Sequence, residues 1–364
     1  MVIGSPSVKP SRRTASLVAL LLLIAVTETP RAQVQAGARV PDGEPARFLQ
    51  QFIGLTAAQI EEARAGKVVS KVLETKEKDE VALFGIVTVD VARENVIQRV
   101  RDLPNYLRTP GRAAFGLFST PATAADVAAF VAEQSDLDAI KNCKPGDCDV
   151  KMPTPNIEQF RSSIDWSVPA AARTKVETLV RERSAAYVNR YRSGGTAAMV
   201  EYGDQKNAGR ASDVFASLLA QSPYLFHYMP TFHEYLKAYP NGSLPGVTDA
   251  IYWASDKLPS LRPLLTLNHV SVYAPPNSAL ALVTTKQLYA SHYFLGAFTL
   301  ATVLDRPDAP GGKGVYYMVV QRMRFDNLPS GGLLNIRGRV IGKMHDMLRA
   351  DLTQRKNWLE GRGG

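Results

Sequence analysis

The end of the chain constrains its fold most. From about Gly332 to Trp358 the sequence reads as one long helix. Leu333, Ile336, Val340, Met344, Met347, Leu348 and Leu352 form an apolar stripe, and Arg337, Arg339, Lys343, Arg349 and Arg355 fall mainly on the other faces. A stripe of that length must be covered by another layer. The preceding segments supply one: Leu264 to Tyr273, Ala279 to Leu288, Tyr293 to Leu304 and Val315 to Phe325 are β-rich. Turns are expected at Pro275-Pro276-Asn277 and Pro310-Gly311-Gly312. A strongly bent antiparallel sheet wrapped around the last helix satisfies both halves of the pattern.

Upstream, Thr56 is a good N-cap for a lead-in helix over Ala57 to Arg64 that Gly66 stops, within residues 39–66. Val68 to Thr75 and Val81 to Val89 read as a hairpin across Lys76-Glu77-Lys78-Asp79. Asp90 is placed to cap a helix running to about Asp102, and Ala113 to Ser119 reads as a further strand. From Thr123 to about Tyr239 the chain reads mostly as helices, best at Asp126 to Glu133, Ala170 to Arg192, Ala211 to Gln221 and Tyr224 to Ala238. The fold class is therefore α+β: a curved antiparallel sheet gripping a long C-terminal helix, built from 67–122 and 249–360, with a helical insertion over 123–248.

The first 38 residues have the composition of a secretory signal. Lys9, Arg12 and Arg13 precede the uncharged run Ala15 to Val26, which is too short to span a bilayer, and small residues follow. Cleavage is expected after Ala32 or, better, after Ala38. Arg12-Arg13 lacks the Phe-Leu pair of a twin-arginine signal, and neither cysteine lies where a lipid anchor needs one. Cleavage at Ala38 removes four basic residues and one acid, taking the formal charge from +9 to +6. A periplasmic or secreted location follows. The remaining positive charge is spread along the chain, with no basic run of the kind that binds nucleic acid; it allows only a mild, unspecific attraction to anionic lipid surfaces. No later apolar run is long enough to cross a membrane. Cys143 and Cys148, the two cysteines, flank Lys-Pro-Gly-Asp, whose Pro-Gly turn brings them together. In an oxidising compartment that predicts a local disulfide, not a redox or metal site.

Two stretches resemble the START-like superfamily, also called the helix-grip or polyketide cyclase-like fold. One runs from Phe84-Gly85-Ile86-Val87-Thr88-Val89-Asp90 through Val91-Ala92-Arg93-Glu94-Asn95-Val96-Ile97 to Asp102-Leu103-Pro104-Asn105-Tyr106. The other runs from Tyr316 to Phe325, through Leu328-Pro329-Ser330-Gly331-Gly332, into the closing helix. Together they cover about a third of the chain, and the helical block departs from the family pattern. The resemblance implies a cavity between sheet and helix that holds a lipid, sterol, polyketide or other apolar molecule. The aromatic late strands, with Tyr273, Tyr289, Tyr293, Phe294, Phe298, Tyr316 and Tyr317, agree with such a pocket and equally with a filled core.

Signature motifs for zinc hydrolysis, nucleophilic serine chemistry and nucleotide binding are missing, and no cofactor is expected. Of the five histidines, His269 and His292 are the candidates for acid–base catalysis through a nonlocal site. Strand alternation sends part of the polar set Asn268, His269, Lys286, Gln287, His292 and Gln321 inward and the rest to solvent. Lys286, His292, Tyr293 and Tyr317 are the candidate ligand contacts, the first two for a polar head. Three readings follow: an exported binding protein for an apolar ligand, an exported cyclase- or hydrolase-like enzyme using a histidine, or a scaffold that binds partners through the helical block.

Overall fold

The computed structural model describes residues 44–362, apart from 110, 208, 258–260, 307 and 329–335. The expected export signal, and the expected start of the last helix with Leu333, lie outside the described residues. The fold is α+β. Eight strands, β1 (Val69–Leu73), β2 (Glu80–Val89), β3 (Arg112–Leu117), β4 (Val247–Asp256), β5 (Leu264–Tyr273), β6 (Leu280–Ala290), β7 (Phe294–Asp305) and β8 (Val315–Phe325), form one curved antiparallel sheet. Its order is β1-β2-β8-β7-β6-β5-β4-β3. The first long strand thus pairs with the last along its whole length, from Glu80 opposite Arg324 to Val89 opposite Val315.

Both faces of the sheet are covered. On one lie α3 (Arg93–Arg101), α4 (Leu103–Tyr106) and the long last helix, α11 (Ile336–Leu359). Leu348, Leu352 and Leu359 of α11 are buried against Val81, Leu83, Val87 and Val319. Gly85 makes the approach possible: a Cβ there would stand 2.3 Å from a methyl of Leu352. Met347 and Ile336, counted in the apolar stripe, are exposed, because the helix leans on the β1–β2 edge and its N-terminal half presents only part of the stripe to the sheet. Asp90 does not cap α3. The helix begins three residues later with Ala92 at the N-cap, and the Asp90 N–H instead donates to the Glu360 carboxylate beyond α11.

The helical block covers the other face: α5 (Gln134–Asn142), α6 (Thr154–Ser163), α7 (Pro169–Gly194), α8 (Ala211–Ala220), α9 (Pro223–Tyr228) and α10 (Pro230–Ala238). The N-terminal α1 (Glu44–Phe48), a π-helical turn (Leu49–Ile53) and α2 (Ala57–Arg64) join it. Thr56 caps α2 in a reciprocal box with Gln59. Residues of every one of these helices share one continuous core with Phe84, Trp253, Leu267, Leu282, Phe298 and Met318 of the sheet. The block differs from its predicted outline in three places. Asp126 to Glu133 holds only a 3-10 turn over Ala124–Val127, the stretch Tyr224 to Ala238 breaks at Met229-Pro230, and α5 and α6 were not anticipated. Among the described residues no helix is long and apolar enough to cross a membrane.

Candidate functional site

A chamber lies between the β5–β6 end of the sheet and helices α5, α6 and α7, with about 1360 Å3 of free space, part of it open to solvent. Its floor is Leu265 and Leu267 of β5 and Tyr289 and Ser291 at the end of β6. Its roof is one stripe of α7: Val176, Val180, Ser184 and Tyr187, spaced so that they share a face. Phe160 of α6, Ile140 of α5, and Val150 and Met152 complete an aliphatic and aromatic interior.

The disulfide forms the support of one wall. Cys143 and Cys148 are bonded, with Cα atoms 4.4 Å apart. Between them Lys144 and Asp147 exchange backbone hydrogen bonds of 2.9 Å across Pro145-Gly146, and Gly146 takes φ +78°, the left-handed geometry that glycine adopts without strain. The chain then runs into the wall, held by Lys151 N–H donating to the Ser291 carbonyl at 2.8 Å and Gly203 N–H to the Met152 carbonyl at 2.9 Å. Three hydroxyls of the chamber are already occupied. The Tyr187 hydroxyl donates to the Leu288 carbonyl (2.8 Å) and accepts from Val200 N–H (3.1 Å). The Tyr289 hydroxyl donates to the Lys151 carbonyl (2.6 Å), and the Ser291 hydroxyl accepts from Leu265 N–H (3.0 Å). What remains for a guest is a largely apolar interior, with Asn156, Arg183, Ser184 and Arg190 as the further polar side chains of the lining.

A second, shallow space on the same face, about 630 Å3 with open solvent included, is lined almost wholly by carbon: Phe84, Leu282, Leu300 and Met318 below, Phe48 and Tyr228 above. On the α11 face, the cleft at the C-terminal end of the helix is polar and rimmed by Arg108, Asp351, Arg355 and Trp358. The apolar space of this fold therefore lies beneath the helical block, on the face opposite the long C-terminal helix.

The candidate residues fall in three separate places. His269 and Lys286 are direct cross-strand partners on the helical-block face. His269 donates or accepts at both ring nitrogens, to the Tyr191 hydroxyl (2.9 Å) and to Asp249 (2.8 Å). Asp249 also accepts from Ser271 (2.6 Å) and from the Tyr235 hydroxyl. Burial pushes the His269 pKa down, against the pull of Asp249. Burial raises the Asp249 pKa, but the hydrogen bonds from His269, Ser271 and Tyr235 outweigh it and hold the carboxyl below its usual range. Lys286 is 3% exposed. Its ammonium lies 4.1 Å from the Phe215 ring centre and 5.1 Å from that of Tyr191, with the Thr196 hydroxyl at 3.2 Å. Burial lowers its pKa to about 7, although Asp249 pulls the other way.

His292 stands apart, past the end of β6, bonded to the Asp136 carboxylate (3.0 Å) and the Asp149 carbonyl (3.1 Å). Asp136 lines the chamber, so His292 is one residue behind its wall. Tyr293 adopts φ +64° and accepts Arg262 N–H at its hydroxyl (2.7 Å). Tyr317 faces α4 and α11 on the opposite side of the sheet, its hydroxyl 3.4 Å from that of Tyr106. Neither histidine, nor Lys286, lines either chamber. Little of the polar strand set faces solvent: Asn268, His269, Lys286, Gln287 and His292 are buried and Gln321 is half-buried, because helices cover both faces where an antiparallel sheet commonly leaves one wet.

Asp249, Tyr191 and Asp136, the partners that define these networks, were not singled out from the sequence. Asp249 had a signal: with Ile251 and Trp253 it follows the period of two along β4, the strand that was not separately recognised. Tyr191 and Asp136 come from helices far away in sequence and had none. Comparison with family models, curated proteins and solved structures finds no match.

Proposed function

We propose that this is an exported, START-like binding protein that holds an apolar molecule such as a lipid in the chamber between β5–β6 and helices α5–α7. The observation carrying this reading is the chamber itself: a space of ligand size with a mainly aliphatic and aromatic interior, in which the Tyr187 and Tyr289 hydroxyls are already hydrogen-bonded to backbone. The START-like assignment draws support from the meeting of the two stretches that resemble the family. β2 and β8 are paired, and the helices that follow them, α3–α4 and α11, share one face. The guest, however, belongs on the other face, because Leu348 and Leu352 fill the contact with Gly85. Export is in keeping with the closed Cys143–Cys148 bond. Binding is favoured over turnover because His269 and His292 are engaged inside packed polar networks and neither faces the chamber.

Mass spectrometry of the exported full-length product, extracted with organic solvent, should find a stoichiometric apolar compound. Leu267→Trp, which projects a large ring into the floor, should empty the chamber while leaving the fold intact by circular dichroism. Empty wild-type protein that also fails to take up a neutral apolar dye would remove the reading.

A further inference from the structure

The rim of the chamber is charged, and its charge is unbalanced. Arg183 and Arg190 both line it. They stand seven residues apart on α7, two turns along the same side of the helix as the roof stripe. The Arg190 guanidinium lies 5.2 Å from the ring centre of Tyr187, itself part of the roof, and Arg183 donates through Nε to the Gln159 amide. Among the described residues neither has a carboxylate within ion-pairing distance, whereas Arg181 on the same helix pairs with Glu177 at 3.3 Å. The single acid among the lining residues, Asp136, is held by His292. The rim therefore offers two exposed guanidiniums above an aliphatic interior.

We infer that the guest is an amphiphile with an anionic head, a carboxylate or a phosphate, whose chain fills the chamber while Arg183 and Arg190 meet the head at its mouth. This rests on the chamber being the binding site. The chemistry is that of the guanidinium, whose planar fork matches either oxyanion with two parallel hydrogen bonds. Placing the head at the rim also leaves its charge partly hydrated, so no charge enters the carbon-lined interior.

Three ligands of equal chain length separate head from tail: oleate, oleyl phosphate and oleyl alcohol, each displacing the neutral dye N-phenyl-1-naphthylamine from the full-length exported protein. The expected result is that at least one anion displaces the dye at a concentration about tenfold below that of the alcohol, the preference shrinking with added salt. Whichever anion is tighter names the head. Arg183→Gln/Arg190→Gln should bring the anions level with the alcohol and leave the alcohol unchanged. Arg183→Lys/Arg190→Lys should keep part of the preference. Both positions are exposed, so these variants are expected to fold. Equal displacement by all three ligands in the wild type, or an anion preference that survives the double glutamine variant, overturns the anionic head while leaving the chamber reading in place. Absence of dye binding overturns both.

Discussion

Lys286 sits in a carbon-lined site with one hydroxyl for company, so its charge is a cost that pH can switch. Folding lowers its pKa from 10.5 to about 7. Because the folded form holds the proton less tightly, the penalty is absent above the unfolded value of 10.5. It grows as pH falls and is complete below the folded value of about 7. At 1.36 kcal/mol per unit, the full penalty is about 4–5 kcal/mol. Lys286→Met keeps the length and the packing against Phe215 and Tyr191 and removes the charge; it forfeits the Thr196 contact, worth about 1 kcal/mol. The variant should therefore be more stable than wild type near neutrality by roughly 3 kcal/mol. The assay is urea denaturation of both proteins at pH 7.5 and 9.5, followed by circular dichroism. Between those two values wild type should gain about 2.5 kcal/mol relative to the variant. The many buried tyrosines, which also titrate at high pH, are common to both proteins and cancel in the difference. A stability gap that does not change with pH, or a variant less stable than wild type at pH 7.5, would refute the reasoning.

Asp249→Ala should cost about 1–3 kcal/mol by the same denaturation assay, since it leaves the buried His269, Ser271 and Tyr235 without the common acceptor that the solvent-accessible start of β4 supplies. The wild-type advantage over this variant should fade as acid protonates the carboxyl, whose folded pKa is below its unfolded one: present above the ordinary carboxylate range, lost as pH drops through the folded value. Leu352→Ala should cost roughly 2–5 kcal/mol, seen as a lower urea midpoint, because the side chain is fully buried against Gly85 and little around it can collapse.

Much of the fold is legible along the chain, and the reason is local. β5 and β8 occupy the expected residues, and α7 and α8 lie within two residues of expectation, because each carries its own period and its own turn or proline boundary. The hairpin β1–β2 and the Thr56 cap follow from short-range chemistry. What failed was mostly nonlocal. Tyr224 to Ala238 has a continuous apolar pattern, yet Pro230 cannot supply the N–H that continuity requires. The chamber could not be placed, since its position depends on which face the helical block covers. The burial of the polar strand residues is illegible for the same reason: nothing in Asn268, His269 or Lys286 announces that helices lie over both sides. The pairing of His269 with Lys286 needed only the β5–β6 register, but the Asp249 and Tyr191 that complete the group arrive from β4 and α7.

The neighbouring placement of β2 and β8 has a consequence for the timing of folding. The Glu80–Arg322 bond joins residues 242 positions apart, so the N-terminal hairpin has no sheet to join until nearly the whole chain exists. The strands β4 to β8, by contrast, are successive antiparallel neighbours and can zip in the order they emerge. Closing so long a loop is slow, and until it closes β2 keeps an unpaired apolar edge. Residues 80–89 thus need protection from the strands of other molecules for as long as the last strand has yet to form.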